Sequence, residues 1–223
     1  MKKKQLLEIL QSVEGFGKPD VMLEQYVTSA QVAADMLFIA NESYADVKRR
    51  VVADLGCGTG MLTVGLLALG ASHVMGFDCD EKALLVAKSN VEEIFDVTDG
   101  MGKVDFVCCD LRNVFGSVRN QKMNTLEWFQ GVDTVVMNPP FGTKRNAGVD
   151  TDFLTIAIQL ATNSVYSLHK SSTRQHILRK AHDLNVTAEV LGEFKFDLPA
   201  TYKFHQRDSV DIKVDFFKFS HKT

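Results

Sequence analysis

The sequence predicts an α/β fold in which an antiparallel hairpin closes a seven-stranded, mostly parallel sheet. Five apolar runs of strand length alternate with segments whose apolar residues have helical spacing, a pattern typical of βαβ units. Four of these runs end directly in polar residues, which are Asp54, Asp78, Asp110 and Asn138. Because open α/β sheets bind ligands at the carboxyl ends of their strands, we expect the functional site at these positions.

Each element has its own sequence signal. Short apolar runs predict five strands, at 51–53, 74–77, 104–109, 132–137 and 164–168. Alternating segments at 186–196 and 210–219 predict the closing hairpin. Helical spacing predicts six helices: 5–13, about 29–43, 61–69, 81–95, 153–161 and 173–184, the last capped by Ser171 or Ser172. The polar stretch 116–131 is either a loop or a short helix. Because crossover connections are right-handed, the first three strands should lie side by side, with the fourth beyond the first.

Length and composition indicate a single globular domain spanning residues 1–223, with a helical extension at 1–45. The net charge of −3 argues against a generally basic nucleic-acid binder but allows local basic patches. The four cysteines show no C-x-x-C spacing, so we expect reduced thiols in a cytosolic or nuclear compartment and no metal site. We also expect no signal peptide and no membrane span.

The turn at 138–141, Asn-Pro-Pro-Phe, follows the fourth strand. Neither proline has a backbone N–H for the sheet, so the strand must end there. The Asn138 carboxamide and the Pro139 carbonyl can both accept hydrogen bonds from a flat –NH2 group such as the amine of adenine. Phe141 offers a ring on which a base can stack. The alternative interpretation is an ordinary turn stiffened by Pro139 and Pro140.

The glycine loop, residues 54–60, has the pattern D-x-G-x-G-x-G between a strand and a helix. Glycines let the backbone approach a ligand closely, and the loop presents N–H groups at a helix start. Such a loop suits either a dinucleotide or a methyl donor. The leading Asp54 favours a cationic ligand, and S-adenosylmethionine carries both a sulfonium and an ammonium group.

Two later acids extend this predicted donor site. Asp78 lies about twenty positions after the glycines, where a carboxylate can bind ribose hydroxyls; a nicotinamide cofactor would also use such an acid. Asp110 could meet an adenine amine, with Leu111 beside the ring, although acids after strands are also common helix caps. The predicted strand order puts Asp54 next to Asn138, and this arrangement is that of a class I, Rossmann-like methyltransferase.

The sequence leaves more than one interpretation open for two further groups of residues. Gln25 and Thr28 precede a helix and could be turn and cap residues. Lys144, Lys170 and Lys203 lie near the proposed site end and could contact nucleic-acid phosphates as a group. A solvated loop charge is the alternative for each lysine.

Several blocks resemble the eukaryotic N6-adenine methyltransferases of small-subunit ribosomal RNA, the methyltransferase-like protein five family. They are Leu-Glu-Gln-Tyr at 23–26, Val-Val-Ala-Asp-Leu-Gly-Cys-Gly at 51–58, Gly-Phe-Asp at 76–78, Met-Asn-Pro-Pro-Phe-Gly-Thr-Lys at 137–144, Tyr-Ser-Leu-His-Lys-Ser-Ser-Thr-Arg at 166–174 and Tyr-Lys-Phe-His at 202–205. The resemblance implies a nuclear (nucleolar) and cytoplasmic enzyme that uses S-adenosylmethionine. It implies a donor site at Gln25, Thr28, Gly56, Thr59, Met61, Asp78, Asp110, Leu111 and Asn138. The chain departs from the family at Val27, where the family carries proline.

The resemblance also implies a small zinc-binding activator subunit as an obligate partner. In the predicted strand order, 104–109 lies at the sheet edge, and an apolar edge strand is an aggregation hazard unless a partner covers it. Three rival functions stay open: a protein-glutamine methyltransferase, a non-catalytic binding module with this fold, and a DNA methyltransferase.

Overall fold

The computed structural model describes residues 1–95, 103–116, 131–142, 146–199 and 209–222. Its strands are β1 (Val51–Leu55), β2 (His73–Asp78), β3 (Val104–Cys108), β4 (Thr134–Met137), β5 (Ser164–Lys170), β6 (Val186–Pro199) and β7 (Ser209–His221). Its α-helices in these ranges are α1 (Lys3–Leu10), α2 (Ala30–Glu42), α3 (Met61–Ala68), α4 (Glu81–Ile94), α5 (Leu111–Gly116), α6 (Val149–Leu160) and α7 (Arg174–Asp183). Short 3₁₀ turns lie at Val21–Leu23 and Ser171–Thr173.

The seven strands form one sheet in the order β3-β2-β1-β4-β5-β7-β6. Strands β1 to β5 are parallel, and β7 lies antiparallel between β5 and β6. The predicted α/β fold, with its mostly parallel sheet and closing hairpin, is confirmed. The chain leaves β1 toward β2 on one side and returns through β4 on the other. The gap between β1 and β4 is therefore the switch point at which such sheets bind ligands.

Alternating side chains along the central strands build two separate cores on the two faces of the sheet. Val52 of β1 and Val136 of β4 belong to the core beneath α1, α2 and α3. Their neighbours Ala53 and Val135 belong to the core beneath α6 and α7. Both faces are covered, which explains why these strands are continuous apolar runs.

Two helix boundaries differ from the predicted ones by more than two residues, and helix α5 was not predicted. The first helix ends at Leu10 instead of residue 13, because the Ser12 hydroxyl and amide both donate to the carbonyl of Ile9 and tighten the last turn. Helix α6 begins at Val149, four residues early, after Gly148 turns the chain in a left-handed conformation.

The prediction that Ser171 or Ser172 caps the helix after β5 was wrong. Helix α7 begins at Arg174, and the preceding Thr173 makes no side-chain cap. The Ser171 hydroxyl donates instead to the buried Asp215 carboxylate at 2.6 Å. The hairpin also differs, because β6 continues to Pro199 through residues predicted to lead into the joining loop.

Some predicted features lie outside the described residues. They include most of the stretch 116–131 and the predicted RNA-contacting residues Lys144 and Lys203. Within the described part of the chain, no helix combines the length and apolar character needed to cross a bilayer.

Candidate active site

A cleft of about 1050 Å³, counting the space that opens to solvent, lies at the carboxyl ends of β1, β2, β3 and β4. Its walls come from the N-terminal segment 20–28, the glycine loop, the ends of β2 and β3, and the turn after β4. Pairing of β1 with β4 sets Leu55 beside Met137, so the glycine loop and Asn138 leave the sheet next to one another. The predicted site residues that line the cleft are Gln25, Thr28, Asp54, Gly56, Thr59, Met61, Asp78, Asp110, Leu111, Asn138 and Pro140.

The glycine loop takes a conformation that requires glycine at three positions. Gly56, Gly58 and Gly60 have φ values of 72°, 54° and 87°, which residues with a Cβ rarely adopt. Space is also restricted, because a Cβ at Gly60 would lie 3.1 Å from the Ala87 side chain and 3.3 Å from its backbone. The loop can therefore bring its backbone against α4 and against a ligand in the cleft.

Asp54 is fully buried at the end of β1. Its Oδ2 accepts a hydrogen bond from the Thr63 hydroxyl at 2.7 Å, whereas Oδ1 has no partner among the described residues. Burial raises the pKa of Asp54 to about 7, against the opposing effect of the Thr63 hydrogen bonds. A buried carboxylate oxygen with no partner, in the wall of a cleft, is the environment that a cationic ligand would satisfy.

Asp78 and Gln25 are held by hydrogen bonds at the end of β2. The two Asp78 oxygens accept from the amides of Gly58 and Asp80, at 2.8 and 2.9 Å. Burial raises the pKa of Asp78. The Gln25 amide donates to Asp80 at 2.7 Å and accepts from the Asp20 backbone. A carboxylate oxygen can accept a second hydrogen bond, so Asp78 keeps the capacity to bind hydroxyl groups.

At the end of β3, Asp110 forms an ion pair with Arg112, whose Nη2 lies 3.1 Å from Oδ2. Burial opposes ionisation, but the hydrogen bonds from Arg112 lower the pKa of Asp110 below its ordinary value. Leu111 is buried and lines the cleft beside Asp110. This end of the cleft therefore combines an ionised carboxylate with an apolar wall.

The turn after β4 presents one carboxamide with its two ends in different environments. Asn138 Nδ2 donates to the Thr28 hydroxyl at 2.9 Å, whereas its buried Oδ1 has no partner among the described residues. Pro139 is buried behind the turn. The turn thus offers an acceptor to a ligand and uses its donor within the protein.

Phe141 lies behind the cleft, not in its lining. It is 6% exposed and has the Tyr26 ring nearly parallel to it at 6.5 Å between centroids. Phe196 meets it edge-on at 5.7 Å, and Lys170 Nζ lies 5.9 Å from its centroid. A base that stacks on Phe141 must therefore displace one of these side chains.

Sequence reasoning missed several residues of the cleft. Phe16 approaches the glycine loop so closely that a Cβ at Gly58 would lie 2.9 Å from its ring. Asn146 donates to the Met22 carbonyl and to Glu24 Oε1, at 3.1 and 3.2 Å. The Asn146 contacts join residues 124 and 122 positions apart in the chain, so they arise only on folding. The one usable signal was the Leu-Glu-Gln-Tyr block, which contains Glu24.

The basic residues near the site end of the sequence do not all belong to one RNA-contacting surface. Arg174, which lies near the site end in sequence, donates two hydrogen bonds of 2.6 Å to the buried Asp215. It holds α7 against β7, so its charge is already paired. Lys170 lies beside Phe141 at the edge of the site. Among the described residues, no cluster of side chains has the composition of a metal site.

Similarity to known proteins covers the whole chain. A family model described as ribosomal protein L11 methyltransferase (PrmA) matches residues 34–103, which hold β1, the glycine loop and β2. The rRNA N(6)-adenosine-methyltransferase METTL5 of Danio rerio is 48% identical over 220 residues, 99% of each chain. Its counterpart Mettl5 of Drosophila melanogaster is 41% identical over 219 residues, 98% of this chain and 96% of that protein.

The solved structures agree with this similarity. A crystal structure from Pyrococcus horikoshii, described as a candidate RNA methyltransferase, has a TM-score of 0.81 and 32% sequence identity, covering 100% of this chain and 99% of that one. The chain belongs to the rRNA N6-adenosine-methyltransferase family and has its class I, S-adenosylmethionine-dependent methyltransferase fold.

Proposed function

We propose that the protein transfers a methyl group from S-adenosylmethionine to the N6 amine of an adenine in small-subunit ribosomal RNA. The observation that carries this proposal is that Asn138 Oδ1, a buried acceptor with no partner among the described residues, belongs to the same cleft as the glycine loop. A methyl donor and a planar amine can therefore meet there. Full-length similarity to proteins named rRNA N(6)-adenosine-methyltransferases supports adenine in RNA as the acceptor.

The donor side of the cleft fits S-adenosylmethionine, the type of cofactor that the family and fold imply. When bound, this cofactor supplies an electrophilic methyl group on a positively charged sulfur. Asp54 Oδ1 provides a buried negative charge for the cationic end. Asp78 and Asp110, at the ends of β2 and β3, also line the cleft, and we expect them to bind the ribose hydroxyls and the adenine amine of the cofactor. Seven further residues complete the proposed donor site: Gln25, Thr28, Gly56, Thr59, Met61, Leu111 and Asn138.

The acceptor side acts through hydrogen-bond acceptors instead of a strong base. Asn138 Oδ1 and the Pro139 carbonyl accept the two N–H bonds of the amine and direct the nitrogen lone pair at the methyl group. These hydrogen bonds strengthen as the nitrogen becomes tetrahedral, so they stabilise the transition state more than the ground state. The target base must leave its stack to enter. We expect it to stack on Phe141 once Tyr26 moves aside.

In the direct test, the purified protein and the activator subunit that the family resemblance implies are incubated with methyl-labelled S-adenosylmethionine and total RNA, total DNA or total protein. We expect label in small-subunit ribosomal RNA, recovered as N6-methyladenosine after digestion. Label in protein, on glutamine amides, would support a protein-glutamine methyltransferase instead. Label in DNA alone would also contradict the proposal.

Donor binding should depend on pH through Asp54. Burial raises the pKa of Asp54 to about 7, so in the free protein this carboxyl is mostly protonated below that pH. A cationic donor binds the ionised form, and its affinity should therefore rise as the pH approaches 7. We expect roughly 15-fold tighter binding at about pH 7 than at about pH 5.5, measured by calorimetry.

The control for this prediction is Asp54→Asn, which cannot ionise at that position. Its donor affinity should be weak and should change less than about 2-fold over the same range. If the wild-type affinity is equally flat, Asp54 does not titrate in contact with the donor.

We further propose that the active species is a heterodimer with the small zinc-binding activator subunit that the family resemblance implies. The physical support is strand β3, which pairs with β2 on one side only among the described residues. Its residues include the half-buried Phe106 and Val107, so its free edge is apolar. Addition of a partner strand would satisfy the open N–H and C=O groups. The chain expressed alone should be poorly soluble, and equal solubility and activity without the activator would remove this proposal.

Proline substitution can test which edge the activator uses. The amide of Cys109 donates to Asp78 of β2, so alternation along the strand directs the Cys108 amide to the free edge. Cys108→Pro removes that outward N–H while leaving the β2–β3 hydrogen bonds, and proline is tolerated on edge strands. We expect it to abolish co-purification of the activator, whereas Cys108→Ser, which keeps the N–H, should bind normally. Normal binding by both variants would exclude strand addition at β3.

A further inference from the structure

Thr28, from the N-terminal segment, holds the carboxamide of Asn138 through a direct hydrogen bond. Its hydroxyl accepts the hydrogen bond from Asn138 Nδ2 at 2.9 Å, and the Thr28 side chain is buried. Thr28 directly precedes Ser29, whose side chain caps α2 by accepting from the amide of Val32. The hydroxyl is therefore fixed to the start of a thirteen-residue helix that packs in the core.

A carboxamide has one acceptor end and one donor end, and the two have nearly the same shape. A half-turn of the Asn138 side chain would replace Oδ1 with an –NH2 group facing the cleft. That group would oppose the amine of the acceptor base instead of accepting its protons. The Thr28 hydroxyl holds the carboxamide in place, and with Nδ2 bound there Oδ1, which has no partner among the described residues, is left for the acceptor amine.

Other contacts hold the N-terminal segment 20–28 against the turn after β4. Asn146, eight positions after Asn138, donates to the Met22 carbonyl and to Glu24. Tyr26 lies against the Phe141 ring. The two Asn146 hydrogen bonds precede Thr28 along the chain and the Ser29 cap of α2 follows it, so Thr28 stays beside the turn when Tyr26 moves aside for the base.

We propose that Thr28 is a positioning residue for the acceptor, which anchors the Asn138 carboxamide so that its oxygen can receive the adenine amine. This role rests on the proposed function. It differs from the donor contact that the family resemblance implies for Thr28, because it acts on the methyl-transfer step through Asn138. Gln25, on the same segment, has its amide bound to Asp20 and Asp80 and does not reach the turn through these hydrogen bonds.

The test is Thr28→Val, which removes the hydroxyl and nearly keeps the shape. At saturating donor we expect kcat to fall by about 10-fold, the loss of one hydrogen bond of ordinary strength with a geometric role. Because Thr28 also belongs to the predicted donor site, the dissociation constant for S-adenosylmethionine is measured by calorimetry for each variant, and kcat is compared at donor concentrations that saturate it. Thr28→Ser, which keeps the hydroxyl, should restore most of kcat.

Ser29→Ala is the matched control, because it removes the neighbouring hydroxyl and the helix cap but does not touch Asn138. It should lower Tm and leave kcat unchanged, which separates a loss of α2 stability from a loss of amide orientation. If Thr28→Val does not fold, Thr28→Ala removes the same hydroxyl without added apolar bulk.

The outcomes separate this inference from the proposed function. An unchanged kcat in Thr28→Val, or a weaker donor affinity with normal kcat at saturation, overturns the positioning role while the wild type still methylates RNA. A wild-type heterodimer that labels no RNA overturns the proposed function itself.

Discussion

Replacing Asn138 with alanine is expected to abolish methyl transfer, with kcat reduced by about 1000-fold or more. The substitution removes Oδ1, the buried acceptor in the cleft that has no partner among the described residues, and leaves the Pro139 carbonyl as the other proposed acceptor. The amine would then lose the hydrogen bond that strengthens most in the transition state. Incorporation of label into ribosomal RNA, by the variant supplied with the proposed activator subunit, measures the effect.

Donor binding should survive in part in this variant, because Asp54 and the glycine loop do not depend on the Asn138 side chain. The matched control is Asn41→Ala near the end of α2, where the Asn41 side chain bonds to Glu42 and the Lys48 amide. That position lies roughly 18 Å along the helix from its start, and the variant should keep full activity. Full activity in Asn138→Ala would refute the assignment of the catalytic turn.

Replacing Gly60 with alanine should eliminate donor binding and lower the stability of the fold. Gly60 has a φ of 87°, and the added Cβ would lie 3.1 Å from the Ala87 side chain and 3.3 Å from its backbone. Left-handed strain and overpacking together cost about 2–5 kcal/mol. We expect the loop to move away from α4, with a loss of at least roughly 100-fold in donor affinity.

The control Gly70→Ala separates the cost of left-handed backbone strain from the cost of overpacking. Gly70 has nearly the same φ, 85°, but a Cβ there would meet only the Lys48 side chain, at 3.7 Å. This variant should therefore lose about 1–2 kcal/mol from strain alone and bind the donor normally. Chemical denaturation gives the stability and calorimetry gives the affinity. Equal donor affinity in Gly60→Ala and Gly70→Ala would show that the tight packing at Gly60 has no role in the donor site.

Features that depend on local pattern could be predicted from the sequence. Three such features can each be interpreted from a few neighbouring residues. They are the apolar run before Asn138, the three alternating glycines, and the acidic residue that precedes the glycines. Right-handed crossovers then determine the strand order β3-β2-β1-β4, which the structure confirms. This is why the glycine loop and the Asn-Pro-Pro-Phe turn could be placed beside one another without coordinates.

Features that depend on competing partners could not be predicted in this way. Ser171 looks like a helix cap in sequence, but the buried Asp215 takes its hydroxyl. Arg174 looks like a free basic residue, but the same carboxylate takes its guanidinium. In both cases Asp215 lies on β7, about forty positions later, and a buried carboxylate takes the nearest donors in space because leaving it unpaired is costly.

The burial of Phe141 is of the same kind. Its place in the turn indicates an exposed stacking surface, yet Tyr26 and Phe196 cover it in the folded chain. Both come from segments that are remote in sequence, one near the amino terminus and one in the closing hairpin.

The amino-acid sequence alone determined the fold class, the strand order and the two loops that form the cleft, because each follows from short-range periodicity and from the handedness of the chain. Only the tertiary structure decided which atoms in the cleft lack a partner among the described residues. Asp54 keeps one oxygen for a ligand because Thr63 binds the other. Asn138 presents its oxygen because Thr28, on a distant segment, binds its nitrogen. Such choices depend on which donors and acceptors come within hydrogen-bonding distance, and that is set when the whole chain packs.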